Sequence, residues 1–387
     1  MSKTQPSLVV WSTAAAALFF ARAFLFSTWV SRGPEVQIAL NLNNAQMGLF
    51  TMLYAVGGLF GIFFASYLVK RFGSKAVAIV GYIIGSLALI GIGFGIDQGA
   101  LLLSSLLLFS IGLPMAIEDF VGNYEGNAAD RVAKRSIFPA IHGAYGLGML
   151  GGAGFSSIAI GAGISLTNHY LITGILAGAV SVAAGLLLPK HADENQSAEK
   201  PKAGKVWSEP RSLFIAVIGF SFFMAEMSAG TWVPIALTQS GYSGSEAAGL
   251  FGMFWVIITL GRLLGGFVVD KIGRVLTVRY SAILASAGIL IFIANDLLQL
   301  PAVGLVLWGL GIAMGFPMSV AAMGDEKSMA PSRINMIITV VYISSITVGP
   351  ALGALGDVTG LFVAFAIPLV MMISAAALSS KTKPLDP

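Results

Sequence analysis

Apolar residues run along this chain in long blocks, and polar residues are confined to the short gaps between them. A helix needs about 20 apolar residues to cross a bilayer. Blocks of that order occupy 8–30, 45–69, 76–96, 100–123, 138–161, 168–189, 212–237, 246–269, 277–295, 300–323, 334–356 and 359–380. The pattern predicts an all-α membrane protein with twelve transmembrane helices. The longest gap, 190–211, is rich in Lys, Glu, Pro and Ser and divides the helices six and six. It reads as a flexible linker between an N-terminal bundle, 1–189, and a C-terminal bundle, 212–387.

Composition strengthens this reading. Of 387 residues, 56% are hydrophobic and 10% charged, against about 25% charged in a soluble domain. So few charges cannot cover a water-facing surface, so most of the exterior must face lipid. The 47 glycines suit membrane helices, whose backbones approach closely at small residues. The chain has no Cys and three His without metal-ligand spacing, which removes thiol chemistry and any local metal cluster. No cofactor is expected. The basic residues are scattered over short loops, which argues against a nucleic-acid partner.

Charge also sets the expected orientation. With the N-terminus cytoplasmic, 19 of the 22 Lys and Arg fall on inside segments; Arg32 is outside, and Arg22 and Arg262 lie within helices. The positive-inside rule then places both termini in the cytoplasm. Ala21-Arg22-Ala23 imitates a signal-peptide cleavage site, but the apolar stretch continues to Val30, so the first helix is expected to be retained.

An internal repeat appears at an offset near 200. Phe19-Phe20 followed by Thr28-Trp29-Val30 recurs as Phe222-Phe223 followed by Thr231-Trp232-Val233, and Gly112-x-Pro114-Met115 recurs as Gly315-x-Pro317-Met318. Lys70-Arg71-Phe72-Gly73-Ser74 corresponds to Asp270-Lys271-Ile272-Gly273-Arg274. Six helices repeated in one orientation predict two bundles related by an axis along the membrane normal. That is the geometry of a body that rocks about a central site.

The stretch Gly266-Phe267-Val268-Val269-Asp270-Lys271-Ile272-Gly273-Arg274 resembles the loop motif of the major facilitator superfamily, and the resemblance spans the whole chain. It implies that Asp270, Lys271, Gly273 and Arg274 belong to a cytoplasmic gate and that helices one, four, seven and ten line a central cavity. The first-half copy departs from the motif, with Lys70 where an acid is expected. Within the superfamily, Ser31-Arg32-Gly33-Pro34, Asn123-x-Glu125-Gly126, His142-Gly143-x-Tyr145-x-Leu147-Gly148 and Ala225-Glu226 are similar to the YbjJ-like bacterial inner-membrane group, neighbours of the fucose permeases. That group carries an acid four residues before an Asn in helix four, a register matched by Asp119 and Asn123, with an extra acid at Glu118. The fucose permeases also have an acid in helix one. This chain has none, so that neighbour's sugar specificity and proton pathway do not carry over whole.

An ionisable group inside a bilayer is expensive and marks a functional site by default. Five stand within the predicted helices: Arg22, Glu118, Asp119, Glu226 and Arg262. Arg22 and Glu226 each lie 14 residues into equivalent helices, roughly 21 Å from the cytoplasmic face. At equal depth they are expected to pair, Arg22 holding an anionic group of a solute and Glu226 taking up the proton that releases it. The blander reading is a permanent Arg22–Glu226 pair holding two helices together. Asp119 and Asn123 share one face of helix four and suit hydroxyl binding and proton transfer, or else a gate contact to Arg135 or His142. Glu118 points about 100° away from Asp119. Arg262 and His142 read as gate residues, His142 more as a hydrogen-bonded structural group than as a relay. Trp29, Tyr145, Trp232 and Trp308 are aromatic platforms or interfacial anchors. The glycines Gly146, Gly148, Gly151, Gly152 and Gly154 predict tight helix packing.

The sequence therefore predicts a transporter, not an enzyme, acting as a monomer in the bacterial inner membrane. It would move a small polar solute, sugar-like or an organic anion, by alternating access, with Arg22, Asp119, Asn123 and Glu226 binding it and Glu226 and Asp119 coupling it to protons. A proton-driven exporter has the same parts in the opposite order. A solute sensor or a membrane-embedded enzyme would need an added domain or a catalytic cluster.

Overall fold

The computed structural model describes residues 6–133, 137–189, 206–326 and 328–385. Every predicted apolar segment lies on helix, and no strand occurs among the described residues. Nine helices there are long and apolar enough to cross a membrane. Two of them, Asn44–Asp97 and Gly244–Ile293, contain 54 and 50 residues, whereas a crossing takes about 20. Each is broken by a glycine in the left-handed half of backbone space, Gly73 at φ 78° and ψ 150° and Gly273 at φ 78° and ψ 163°. L-residues rarely adopt that conformation. Two predicted helices fall on either side of each break.

The helices that follow are α1 (Leu8–Ser31), α2 (44–72), α3 (74–97), α4 (Leu101–Val132), α5 (Phe138–Gly161) and α6 (Leu166–Leu187). After them come α7 (Pro210–Gln239), α8 (244–272), α9 (274–293), α10 (Pro301–Met323), α11 (Ala330–Thr359) and α12 (Leu361–Thr382). The predicted linker lies outside the described residues up to 205; from there a short 3-10 turn, Val206–Ser208, leads into α7. Two segments expected to be unbroken are interrupted, α10 at Ala313–Met314 and α12 at Phe365. Pro317 and Pro368 lack the N–H that would bond four residues back, and their rings crowd the carbonyls of Ala313 and Ala364.

The repeat is visible in local geometry. At the start of α2, Asn43 N donates to Gln46 Oε1 (3.0 Å) and Gln46 N to Asn43 Oδ1 (2.8 Å). At the start of α8, 200 positions on, Ser243 N donates to Glu246 Oε2 (2.9 Å) and Glu246 N to Ser243 Oγ (3.2 Å). Both are reciprocal capping boxes. Together with the paired glycine breaks, they extend the sequence repeat into three dimensions.

The chain forms two compact units. The first contains α1, α3 to α6, α2 from Leu53 onward, and Gly241–Gly252; the second contains Asn43–Met52, α7 and the chain from Met253. The two short exchanged segments are held by polar contacts at helix ends. In the second unit the Asp357 carboxylate accepts from Asn44 N (2.8 Å) and Ala45 N (2.9 Å), placing negative charge on the exposed amides of a helix start. In the first, Ser157 Oγ donates to Ser245 O (2.9 Å) and Ser245 Oγ to Ser157 O (2.8 Å).

Glycine sets how closely helices approach inside each unit. A Cβ on Gly148 of α5 would lie 2.8 Å from Ala23 Cβ, and one on Gly152 would lie 2.8 Å from Ser27 Cβ. The glycine run therefore seats α5 against α1, where Ser27 Oγ also donates to Met149 O (2.7 Å). Large apolar side chains such as Phe63, Leu87, Leu102, Ile158, Phe267 and Leu290 remain exposed, as a lipid-facing surface requires.

In the second unit a Cβ on Gly288 of α9 would lie 2.6 Å from Gly304 O and would also strike the Trp308 backbone N. Gly288→Ala should destabilise the protein by about 1–3 kcal/mol, because backbone cannot yield to an added methyl. Gly230→Ala on α7, where nothing lies within 4 Å, should be neutral or stabilising by up to about 1 kcal/mol. Thermal unfolding of the purified variants in detergent would distinguish the two sites, and equal effects would refute the packing argument.

Candidate functional site

The charges inside the helices are drawn into pairs, though not the pair expected from depth. Arg22 on α1 places Nη2 2.9 Å from Asp119 Oδ1 on α4, and its guanidinium lies 4.7 Å over the Tyr145 ring of α5, within cation–π range. Glu226 on α7 instead accepts from Arg262 Nη2 on α8 at 2.7 Å, and Arg262 Nε also points to Ala313 O at 3.4 Å. The expected Arg22–Glu226 pair is thus replaced by two pairs, one within each unit. Equal depth does not determine azimuth: a long guanidinium swings to an acid on the neighbouring helix of its own unit.

The pairs differ in access. Arg22 and Asp119 keep 17% and 34% of their side-chain surface, and Arg262 and Glu226 keep 29% and 9%. Glu226 is buried, whereas Arg22, Asp119 and Arg262 are partly exposed, so each pair keeps at least one accessible member. Asn123 is half-buried; its Nδ2 donates to the Asp119 backbone carbonyl at 2.7 Å, bonding back along its own helix rather than to the Asp119 carboxylate. His142 is exposed, with its ring 4.8 Å from Phe19 and 6.3 Å from Tyr145. Arg135, the alternative partner considered for Asp119, lies outside the described residues.

The three tryptophans expected as platforms or anchors are core residues. Trp29 and Trp232 are buried, and Trp308 is fully enclosed, edge-on to Phe254, Phe292 and Phe365 at 5.5–5.8 Å. Burial leaves all three little surface to offer a solute or a membrane interface. Tyr145, beneath Arg22, is the one of the four beside a paired charge.

Among the gate residues inferred from the loop motif, Arg274 makes the strong contacts. Nη1 and Nη2 donate to the two Asp325 oxygens at 2.9 and 2.6 Å, and Nε donates to Thr382 O at 2.6 Å. Arg211 adds a bond to Asp325 Oδ2 (2.7 Å) and one to Lys383 O (3.0 Å). Asp325, just after α10, therefore joins the starts of α7 and α9, and the same two arginines bond the C-terminal turn. Asp270 and Lys271 are exposed, and among the described residues neither forms an ion pair. Nearby, Arg333 Nε donates to Glu209 Oε2 (2.8 Å). Burial works to raise the Asp325 carboxyl, but the hydrogen bonds from Arg274 and Arg211 outweigh it and hold the group below its ordinary value. The hydrogen bond from Arg333 does the same for Glu209.

Three acid or base contacts escaped the sequence reading. Asp325 follows a helix end in a stretch read only for its basic residues. Glu125, low on α4, accepts from Trp11 Nε1 at 2.8 Å; α4 runs to Val132, nine residues beyond its predicted end. Arg32, expected in an outer loop, is 2% exposed and is held by Glu35 (2.6 Å), His169 Nδ1 (2.9 Å) and Ile164 O (2.7 Å). Its appearance in Ser31-Arg32-Gly33-Pro34 was the available signal.

A lipid-facing helical body whose spans hold accessible Arg–carboxylate pairs defines a polytopic membrane protein of the solute-transporter class. The sequence model of the Major Facilitator Superfamily matches residues 14–346, and the chain belongs to that superfamily. It is 25% identical over 363 residues to an uncharacterised MFS-type transporter of Yersinia pestis, covering 93% of this chain and 92% of that protein. It is also 25% identical over 366 residues to the membrane protein MosC of Rhizobium meliloti, covering 92% and 86%. Two crystal structures of the nucleoside transporter NupG superpose with TM-scores of 0.79 and 0.76, at 15% and 16% identity, each over 96% of this chain and 99–100% of the other. FucP in its outward conformation superposes with a TM-score of 0.63 at 17% identity, over 98% and 100%. Fold and family are those of membrane transporters, not of enzymes.

Two outcomes follow from the pairs. Arg262→Met strands the Glu226 carboxylate and should lower unfolding free energy by about 2–4 kcal/mol, less than for a fully enclosed pair because Arg262 is partly solvated. Adding Glu226→Gln should recover most of that loss in a denaturation double-mutant cycle; no recovery would mean the pair contributes nothing. For Asp325 the folded value is depressed, so its stabilisation is present above the ordinary carboxylate range and disappears as pH falls through the folded value. The melting temperature of the wild type should drop more steeply than that of Asp325→Asn from about pH 5 to about pH 3. Parallel profiles would remove Asp325 from the acid response.

Proposed function

We propose that this protein is a proton-coupled importer of a small polar solute, sugar-like or an organic anion. It works by alternating access as a monomer in a bacterial inner membrane, with both termini cytoplasmic. The reading rests on one observation above all: Arg22–Asp119 and Arg262–Glu226 hold charge inside membrane spans while staying partly open. A static helix clamp needs no such opening, and enclosing it would strengthen the attraction. An accessible pair can trade its partner for a solute oxygen.

In this mechanism Arg22 offers a cation to an anionic or hydroxyl-rich solute, while Asp119 and Asn123 supply acceptors and a donor beside it. Protonation of Glu226 neutralises one half of its pair and frees Arg262 to turn toward the solute or the Ala313 carbonyl. The N-terminal and C-terminal bundles, 1–189 and 212–387, then close over an occupied and electrically quieter site. Arg274 and the rest of the loop motif, with Arg262 and His142 nearer the pairs, form the cytoplasmic gate. The likeness of fold to a nucleoside transporter supports a solute that carries several hydroxyls on a ring.

Purified protein in proteoliposomes, with the interior alkaline, should accumulate at least one member of a labelled panel of uridine, adenosine, fucose and gluconate. A protonophore should abolish the accumulation, as should Glu226→Gln. Full accumulation by Glu226→Gln would refute its coupling role. Movement only down an outward gradient would reverse the direction to export, and binding without flux would indicate a solute sensor.

A further inference from the structure

Glu118 is the residue the two pairs leave over. It precedes Asp119 on α4, and the helical step of about 100° turns it away from that neighbour. Glu118 is 1% exposed, and neither carboxyl oxygen has a hydrogen-bond partner. A Cβ on Gly81 of α3 would lie 3.2 Å from Glu118 Oε1 and 3.7 Å from Pro114 Cβ, so the absence of a side chain at Gly81 makes the room Glu118 occupies. The titratable groups acting on it from the surrounding helices are Arg22 of α1, Tyr54 of α2 and Tyr82 of α3, with Asp119 on its own helix. Tyr82 gives its hydroxyl to Leu18 O, close to Ser181 of α6, and Arg22 gives its nearest nitrogen to Asp119.

An ionised carboxylate in such a place would lack both water and donors, a situation that costs several kcal/mol; the neutral acid escapes most of that penalty. The charge count agrees. Arg22 and Asp119 cancel, and the cluster is neutral only when Glu118 carries a proton. We propose that Glu118 is the resident proton site of the first unit and carries a coupled proton there, beside the one that Glu226 takes up in the second. This rests on the proton-coupled reading above and adds the acid that the pairs themselves do not occupy.

The cycle balances simply. Loss of the proton from Glu118 to water leaves two carboxylates beside one guanidinium. Arg22, whose Nε has no hydrogen-bond partner, is drawn toward the deeply buried carboxylate, because the half-exposed Asp119 is the one that water or a solute donor can satisfy. Return of a proton to Glu118 sends Arg22 back to Asp119 and displaces that donor. Two adjacent acids sharing one cation thus link proton occupancy to solute binding.

Infrared difference spectroscopy of the full-length protein in lipid tests the site without a solute, the proton itself being the probe. The wild type at neutral pH should show a protonated-carboxyl C=O band that is missing in Glu118→Gln and persists in Glu226→Gln; in Asp119→Asn, which leaves Arg22 without its acid, the band should be lost at lower pH than in the wild type. Gly81→Ala, which crowds Oε1 and alters no charge, should keep the band and shift the pH at which it is lost; this variant decides the matter should Glu118→Gln fail to fold. With the labelled panel, Glu118→Gln should reduce gradient-driven accumulation to the level of the gradient-free control. A band that survives Glu118→Gln, a pH midpoint unmoved by Gly81→Ala, or undiminished accumulation by Glu118→Gln would overturn the assignment. If the wild type accumulates no panel member, the coupled-transport reading fails, and the infrared result still decides whether Glu118 holds a proton.

Discussion

Charge is expensive in a bilayer, and the polar interior of this protein is organised by how that expense is met. A lone carboxylate or guanidinium at mid-helix would draw water into the hydrocarbon or force a change of protonation. Arg22 and Arg262 meet the demand by reaching an acid on a neighbouring helix, at 2.9 and 2.7 Å. Glu118, 1% exposed, has no hydrogen-bond partner on either carboxyl oxygen. Pairing and enclosure therefore separate the acids held by a guanidinium from Glu118, for which the proposal above makes neutrality the affordable state.

The backbone obeys a parallel constraint. With no water to satisfy its amides, the chain stays helical, and each turn between spans must be made at a residue that tolerates the required dihedrals. Gly73 and Gly273 make the same turn with the same φ, and the helices before them start with matching capping boxes. Closely seated helices, such as α5 on α1 and α9 against α10, then fix the depth and direction from which each charged side chain projects. A guanidinium's reach decides its partner only because the helix axes are this near.

Much of this was legible in the sequence. The apolar blocks located every membrane-length helix to within a few residues, apart from the longer α4, because hydrocarbon thickness sets a length that composition cannot disguise; the short helix Gly33–Ala39 lay between blocks and was not read. The repeat was legible too, down to the glycines at 73 and 273, since a left-handed turn leaves little choice of residue. Pairing was not. Arg22 and Glu226 matched in depth and sign, but hydropathy carries no azimuth, and contact depends on azimuth. The Asp325 network was missed for a different reason: counting basic residues to orient the chain left the acids between them unread. Trp308 shows the same gap from the other side, as an aromatic expected to offer a solute platform that instead fills the centre of a packed cluster.

The repeat makes one asymmetry informative. α1 and α7 are equivalent helices, yet one contributes a cation and the other an anion at neighbouring registers. Each finds its counter-charge inside its own unit, Arg22 on α4 and Glu226 on α8. Had they paired with each other, any relative movement of the N-terminal and C-terminal bundles would have had to break an ion pair in low dielectric, at a cost of several kcal/mol. With neutrality satisfied locally, the alternating access proposed above has no Arg22–Glu226 pair to break, and its energy can come from the exchange of solute groups and protons within each unit's own pair. Opposite charges on equivalent helices thus give the two halves of a repeated scaffold different chemistry without changing the geometry they share.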